Sequence, residues 1–236
     1  MSTPKRHHKS SRTCKLTTLP SPREIAWFRR RLFKWFAANR RDFPWRKNSA
    51  TNYTKIVSEV LLQRTRAEVI AAFLPGFVKR FPSWEALAKS DKRQLAIFLK
   101  PIGLWKRRSV SLDKLAKQMA ATKGRFPRVR ERIEELPNVG QYITNAILLF
   151  VHREREPLLD SNMARVLERF FGPRQLADIR YDPYLQSLAR AVLAKNDPVL
   201  MNWALLDHAA VVCKISRPRC NECPIAARCR FLRNVG

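Results

Sequence analysis

The stretch Leu136-Pro137-Asn138-Val139-Gly140-Gln141-Tyr142-Ile143 decides the fold. Before it, Arg130 to Leu136 reads as a short helix with Ile133 and Leu136 turned inward. Pro137 cannot continue that helix, because proline lacks an N–H donor and restricts the residue before it. After it, Tyr142, Ile143, Ala146, Ile147, Phe150 and Val151 recur at helical spacing, so a new helix starts around Gln141. Val139 reads as an apolar plug in the loop, between Asn138 and Gly140, two residues able to take a left-handed backbone. The arrangement is a helix–hairpin–helix over residues 128–152. Its free amides lie at a helix N-terminus, where the dipole and unpaired N–H groups favour a phosphate oxygen. Such a backbone grip positions a nucleic acid without reading its sequence.

Working outward, the chain reads as helix after helix. Ile25 to Asn39 carries Ile25, Trp27, Phe28, Leu32, Phe33, Trp35 and Phe36 near a 3.6-residue period, and Asp42-Phe43-Pro44-Trp45 ends it. Ser58 to Phe73 reads as a second helix. Trp84 to Leu87, Lys92 to Leu99 and Ser109 to Met119 follow as short amphipathic helices separated by Pro or Gly. No alternating β-rich run and no repeat of fixed period occurs, so the fold class is all-α. Residues 1–22, basic and rich in Ser, Thr and Pro, have no acid before Glu24 and read as a disordered basic arm. Cys14 stands alone in it.

Across 236 residues, 47 Lys and Arg oppose 19 Asp and Glu, a formal net charge of +28 that points to a polyanionic partner. Nucleic acid is the first expectation, since neutralising phosphates releases condensed counterions. A membrane partner is not expected, because no apolar run of about 20 residues occurs. Four of the five cysteines fall late in the chain at Cys213, Cys220, Cys223 and Cys229. Their C-x6-C-x2-C-x5-C spacing suits a tetrathiolate cradle for a soft metal, and spacing leaves zinc and an iron–sulfur cluster equally open. A disulfide framework is not expected in a chain of this size without a secretory signal.

Together these residues resemble the helix–hairpin–helix DNA glycosylases of the endonuclease III superfamily. The resemblance runs from about residue 25 to 230. It rests on Asp42-Phe43-Pro44-Trp45-Arg46, Ser58-Glu59-Val60-Leu61-Leu62-Gln63-Arg64-Thr65, Leu136-Pro137-Asn138-Val139-Gly140, Leu159-Asp160-Ser161-Asn162 and the cysteine pattern. Asn138 departs from the glycine common there, yet Asn tolerates positive φ, so the hairpin is expected to survive. The resemblance implies two helical lobes flanking a DNA-binding cleft: a six-helix barrel over 48–156, and an iron–sulfur cluster domain from 23–47 and 157–236. It also implies a [4Fe–4S] cluster on the four cysteines, a monomer, and double-stranded DNA with a mismatched or modified base as partner. In a prokaryote such a protein would work in the cytoplasm at the nucleoid.

Breaking an N-glycosidic bond builds positive charge on the sugar and negative charge on the departing base. The resemblance gives Asp160 the first of these charges to stabilise, through an oxocarbenium-like transition state. By position alone, after Leu158-Leu159 and before a helix near Met163, Asp160 reads as an N-cap, and the two roles can coexist. Asn162 could orient the sugar or Asp160. Glu59 would flank the pocket, where a raised pKa lets a carboxyl protonate the base or position water; its plain alternative is a solvated helix face. Tyr142 occupies the position where bifunctional relatives carry lysine, so no Schiff base is expected. Gln63 and Arg64 resemble wedge residues that fill the gap left by an extruded base. Trp105 could intercalate or pack inside, Arg107 and Arg108 suit phosphates, and Asn138, Val139 and Gly140 form the hairpin grip. With Asp42-Phe43-Pro44-Trp45-Arg46, Arg64 and Tyr142 the chain more closely resembles the thymine–DNA mismatch glycosylases, which implies thymine or uracil opposite guanine as target. Adenine opposite guanine or 8-oxoguanine, a modified pyrimidine, and a non-enzymatic iron–sulfur DNA-binding protein remain alternatives.

Overall fold

A computed structural model of the chain describes residues 18–235, and these are α-helical with no strand among them. Most of the arm expected over 1–22, Cys14 included, lies outside the described residues. The arm's inner boundary is corrected, because α1 spans Pro22–Asn39. Ser21 caps it by accepting the Glu24 N–H at 3.2 Å, and Pro22 fits the first turn, where its missing donor costs nothing.

The first lobe contains α2 (Asn52–Leu62), α3 (Ala67–Arg80), α4 (Trp84–Ala88), α5 (Lys92–Phe98), α6 (Trp105–Ala121), α7 (Arg130–Glu134) and α8 (Gln141–Phe150). Helix α6 packs against α4 and α5, and α8 packs against α2 and α7. The second lobe joins α1 to α9 (Ser161–Phe171), α10 (Pro183–Leu193), α11 (Pro198–Val211) and α12 (Arg230–Val235). Phe28 seals that lobe, lying 4.8 Å from the Phe170 ring and 4.9 Å from Phe171. Contacts of α8 with α11 join the two groups.

Two boundaries differ from the sequence reading. The single helix expected over Ser58–Phe73 is two helices, because Arg64 takes a left-handed φ of 60° and the chain turns through residues 63–66. Helix α6 begins at Trp105 rather than Ser109, so the basic run Lys106-Arg107-Arg108 forms its first turn.

The segment after α1 is held by a buried ion pair. Asp207, fully buried on α11, accepts from Arg46 Nη1 at 2.7 Å and Nη2 at 3.0 Å, and from Arg41 Nε at 2.9 Å. The Arg46 guanidinium lies 5.0 Å from the rings of both Phe43 and Trp203. Removing one partner of such a pair strands a buried charge. Asp207→Ala is therefore expected to lower unfolding free energy by about 3–5 kcal/mol, read from urea denaturation followed by circular dichroism. A loss under about 1 kcal/mol would show that the pair is solvated.

Candidate active site

Three elements bring the candidate catalytic groups together. Helix α2 carries Glu59, α8 carries Tyr142, and Asp160 precedes α9. Tyr142 Oη donates to Glu59 Oε2 at 2.9 Å, joining residues 83 positions apart. Glu59 is 3% exposed, which removes the solvated-face reading. Burial pushes its carboxyl up to about 7, and the nearby Asp160 charge adds to this, against the Tyr142 hydrogen bond and the Arg46 charge, which act downward. Burial likewise pushes the Tyr142 phenol well above its ordinary range, reinforced by Glu59 and Asp160. The pair thus offers a proton near neutrality and no nucleophilic amine.

Asp160 is the N-cap of α9. Its Oδ1 accepts the N–H groups of Asn162 at 2.9 Å and Met163 at 2.8 Å, and its Oδ2 accepts Asn162 Nδ2 at 2.7 Å. The N-cap expectation is met, and the side chain remains partly exposed. Two buried amides that sequence reasoning missed fix the extended segment leading to it. Asn145 Nδ2 donates to the Pro157 carbonyl at 2.8 Å, and Asn202 Oδ1 accepts the Leu158 N–H at 2.7 Å. The only signal for them is an Asn inside an otherwise apolar helix, which asks for a buried partner.

The hairpin forms as read, with one correction. Asn138 takes φ 59° and Val139 is buried. Gly140, however, is extended at φ −99°, not left-handed. A Cβ there would meet nothing within 4 Å, so neither the turn nor packing demands glycine. The bare backbone instead leaves room for a ligand to approach the uncapped start of α8.

Gln63 and Arg64 are exposed at the turn after α2. Trp105 is partly buried against the core, with the Lys100 and Lys106 ammonium groups 5.5 and 5.3 Å from its ring centre. The exposed apolar tip is Leu104, 51% exposed in a left-handed φ of 50° after Gly103, a residue the sequence reading passed over. An exposed leucine in a disfavoured backbone state is the signal only the structure gives. Arg107 is exposed and free to meet a phosphate. Arg108 is not: it is 7% exposed and turned onto the backbone after α2, a correction to its expected phosphate role.

The four cysteines are partly exposed near the ends of α9 and α11. Burial pushes Cys223 up to about 11, with Cys213, Cys229 and Cys220 adding to the rise, and burial raises Cys229, with Cys213 and Cys220 adding. Arg169 Nη1 reaches Cys213 Sγ at 3.5 Å, and Cys223 Sγ lies 3.4 Å from His208 Nε2. Among the described residues no three His, Cys, Asp or Glu side chains are grouped as an ion-holding set. Arg165 spans the cysteines and the active site, bonding the Cys213 carbonyl at 2.9 Å and Asn162 Oδ1 at 3.2 Å.

This geometry has counterparts in known proteins. A thymine-DNA glycosylase of Aeropyrum pernix is 35% identical over 215 residues, covering 89% of this chain and 96% of that protein. The solved structure of a thermostable thymine-DNA glycosylase superposes with a TM-score of 0.82 at 28% identity, over 90% of this chain and 98% of the other. An adenine DNA glycosylase of Rattus norvegicus is 29% identical over 90% of this chain but only 43% of its own length. The family model of the HhH-GPD superfamily base excision DNA repair proteins matches residues 57–186, which takes in Glu59, the turn at Gln63 and Arg64, the hairpin and Asp160. That match covers more than half of the chain and is joined by 35% identity to a relative matched over 96% of its length, so the chain belongs to that superfamily.

Proposed function

We propose that this protein is a monofunctional DNA glycosylase that acts as a monomer, extrudes thymine or uracil opposed to guanine, and hydrolyses its N-glycosidic bond. The observation that carries the chemistry is the partly buried Glu59–Tyr142 hydrogen bond at 2.9 Å, which joins α2 to α8 beside Asp160 at the start of α9, with burial raising the Glu59 carboxyl to about 7. As the C1′–N bond breaks, its electron pair leaves with the base, and Glu59 gives that base a proton. Asp160 stabilises the cationic sugar, and water adds its oxygen to C1′ and gives up a proton that restores the Glu59 carboxyl. Asn162 holds the Asp160 rotamer through its side-chain amide. Tyr142 offers a phenol already bonded to Glu59, and a phenol cannot form the Schiff base that strand cleavage by a lysine uses. The identity to named thymine-DNA and thymine/uracil-DNA glycosylases supports the choice of base.

The hairpin residues Asn138, Val139 and Gly140 would grip a phosphate, while Gln63, Arg64 and Leu104 would fill the space left in the stack. The deciding experiment measures base release from end-labelled G·T, G·U, A·G, A·8-oxoguanine and fully paired duplexes, with and without hot alkali. Breakage of the T or U strand after alkali alone supports the proposal. Release of adenine replaces it with the adenine reading, and breakage without alkali ends the monofunctional assignment.

Cys213, Cys220, Cys223 and Cys229 would hold a [4Fe–4S] cluster. The chemistry of the donor set fits: four soft sulfurs, with Arg169 Nη1 3.5 Å from Cys213 Sγ and Arg165 on the Cys213 carbonyl, cations that would offset the charge of thiolate ligands. Bound there, the cluster would tie the loop after α11 to α9. Purified protein is expected to be yellow-brown with iron and sulfide in equal amounts. Colourless protein with one zinc per chain would replace the cluster with a zinc site.

A further inference from the structure

Arg108 spends a buried charge in an unfavourable place. It lies in the first turn of α6, where the positive end of that helix dipole opposes a cation. Among the described residues no carboxylate pairs with it. Its guanidinium instead crosses to the end of α2. Nη1 donates to the Leu61 carbonyl, and Nη2 donates to the Gln63 carbonyl at 2.7 Å and to Thr65 Oγ1 at 2.6 Å. Nε has no partner. Leu61 lies in the last turn of the helix that carries Glu59 and Gln63 is its C-cap; carbonyls at such an end lack intrahelical donors and carry the negative end of the dipole. Thr65 Oγ1 also donates to the Ile102 carbonyl at 3.4 Å, so a second bond crosses between the same two loops.

Both loops are held in disfavoured backbone states at their exposed tips. Arg64 has φ 60° and Leu104 has φ 50°, and neither is glycine. A residue held there needs surrounding structure to hold it. Among the described residues, the buried side chain that bonds the 61–65 backbone is Arg108, which stands four residues after Leu104. Its own N–H donates to the Leu104 carbonyl at 2.9 Å.

We propose that Arg108 is a positioning residue that locks the Gln63–Arg64 tip and the Leu104 tip into one rigid probe, so that both enter the duplex together when the base is extruded. The inference rests on the glycosylase reading but concerns extrusion rather than the bond-breaking step. A planar fork is needed for it, because three acceptors spread over residues 61–65 must be met at once from the first turn of α6, and a lysine ammonium delivers a single point charge. Losing the strut leaves each tip free to relax, so the cost falls on opening the stack, which depends on how firmly the target base is paired.

The test compares wild type with Arg108→Lys and Arg108→Met, each first shown by circular dichroism and melting to be folded. Single-turnover release of uracil is measured opposite an abasic analogue, opposite guanine and opposite adenine, in order of increasing pairing stability. For Arg108→Lys the deficit is expected to grow along that series, from about twofold to about 30-fold or more. A second readout needs no chemistry: 2-aminopurine placed beside a G·T mismatch brightens as its neighbour leaves the stack. The wild type is expected to brighten it, and Arg108→Lys to bind the duplex with under half that rise. An equal loss opposite all three partners, or full brightening with Arg108→Lys, would overturn the proposal. Wild-type brightening without release of any pyrimidine would overturn the choice of base and leave the strut tested by fluorescence.

Discussion

Asp160→Asn is expected to slow base release by about a thousandfold while leaving duplex affinity within about threefold. The size follows from Coulomb's law: a carboxylate about 4 Å from the charge developing on the sugar, at an effective dielectric of about 20, contributes about 4 kcal/mol, or roughly three powers of ten in rate. Asparagine is the informative replacement because it caps a helix about as well as aspartate. Its amide oxygen can still accept the Asn162 and Met163 N–H groups that Asp160 now holds, so α9 keeps its start. Asp160→Ala would mix a lost charge with a lost cap. Single-turnover release and fluorescence anisotropy on one mismatched duplex separate chemistry from binding. Parallel loss of both would show that Asp160 is a structural cap only.

Glu59→Gln is expected to cost about a hundredfold or more in release at neutral pH, the usual range for a positioned general acid. Glutamine keeps an acceptor for the Tyr142 hydroxyl, so the loss reports the proton rather than the packing. The wild-type rate should fall as pH rises through about 7, where burial places the Glu59 carboxyl, and the variant should be slow and flat. A wild-type profile level from pH 6 to 8.5 would remove Glu59 as the acid.

Wild-type stability should fall with rising pH as well. The folded protein holds the Glu59 proton up to about pH 7, whereas the ordinary value is 4.5, so the unfolded chain binds fewer protons between these limits. Folding stability therefore falls as pH rises across that window, by about 3 kcal/mol in total, because an ionised carboxylate is left in a buried site. Glu59→Gln lacks that penalty. The variant is expected to melt higher than wild type at pH 8, with the difference closing toward pH 5. Melting curves at the two pH values check this, and a pH-independent difference would contradict burial of the charge.

What the sequence determined by itself is local. Asn138 can hold a left-handed turn and Pro137 must end a helix, so the hairpin was legible within a few residues. Asp160 before a helix is a cap wherever the helix goes, and the cysteine spacing marks a thiol cradle without any knowledge of its surroundings. These readings hold because turns, caps and short ligand spacings are set by φ/ψ preferences and hydrogen bonds that reach only a few positions.

The tertiary structure decided everything that depends on which way a polar side chain faces. Glu59 looked equally suited to solvent, and its burial follows from α2 packing against α8, where Tyr142 waits 83 residues away. Arg46 and Asp207 stand 161 residues apart and meet only because α11 lies under the chain after α1. The run Lys106-Arg107-Arg108 reads as three equivalent cations. Helical phase alone sets Arg108 in line with Leu112, Leu115 and Met119, and the open end of α2 then gives it carbonyls to serve. Charge in a sequence announces a partner. Whether that partner is DNA or the protein's own backbone depends on which groups the packed helices leave unbonded, since a buried polar group must be satisfied wherever the fold puts it.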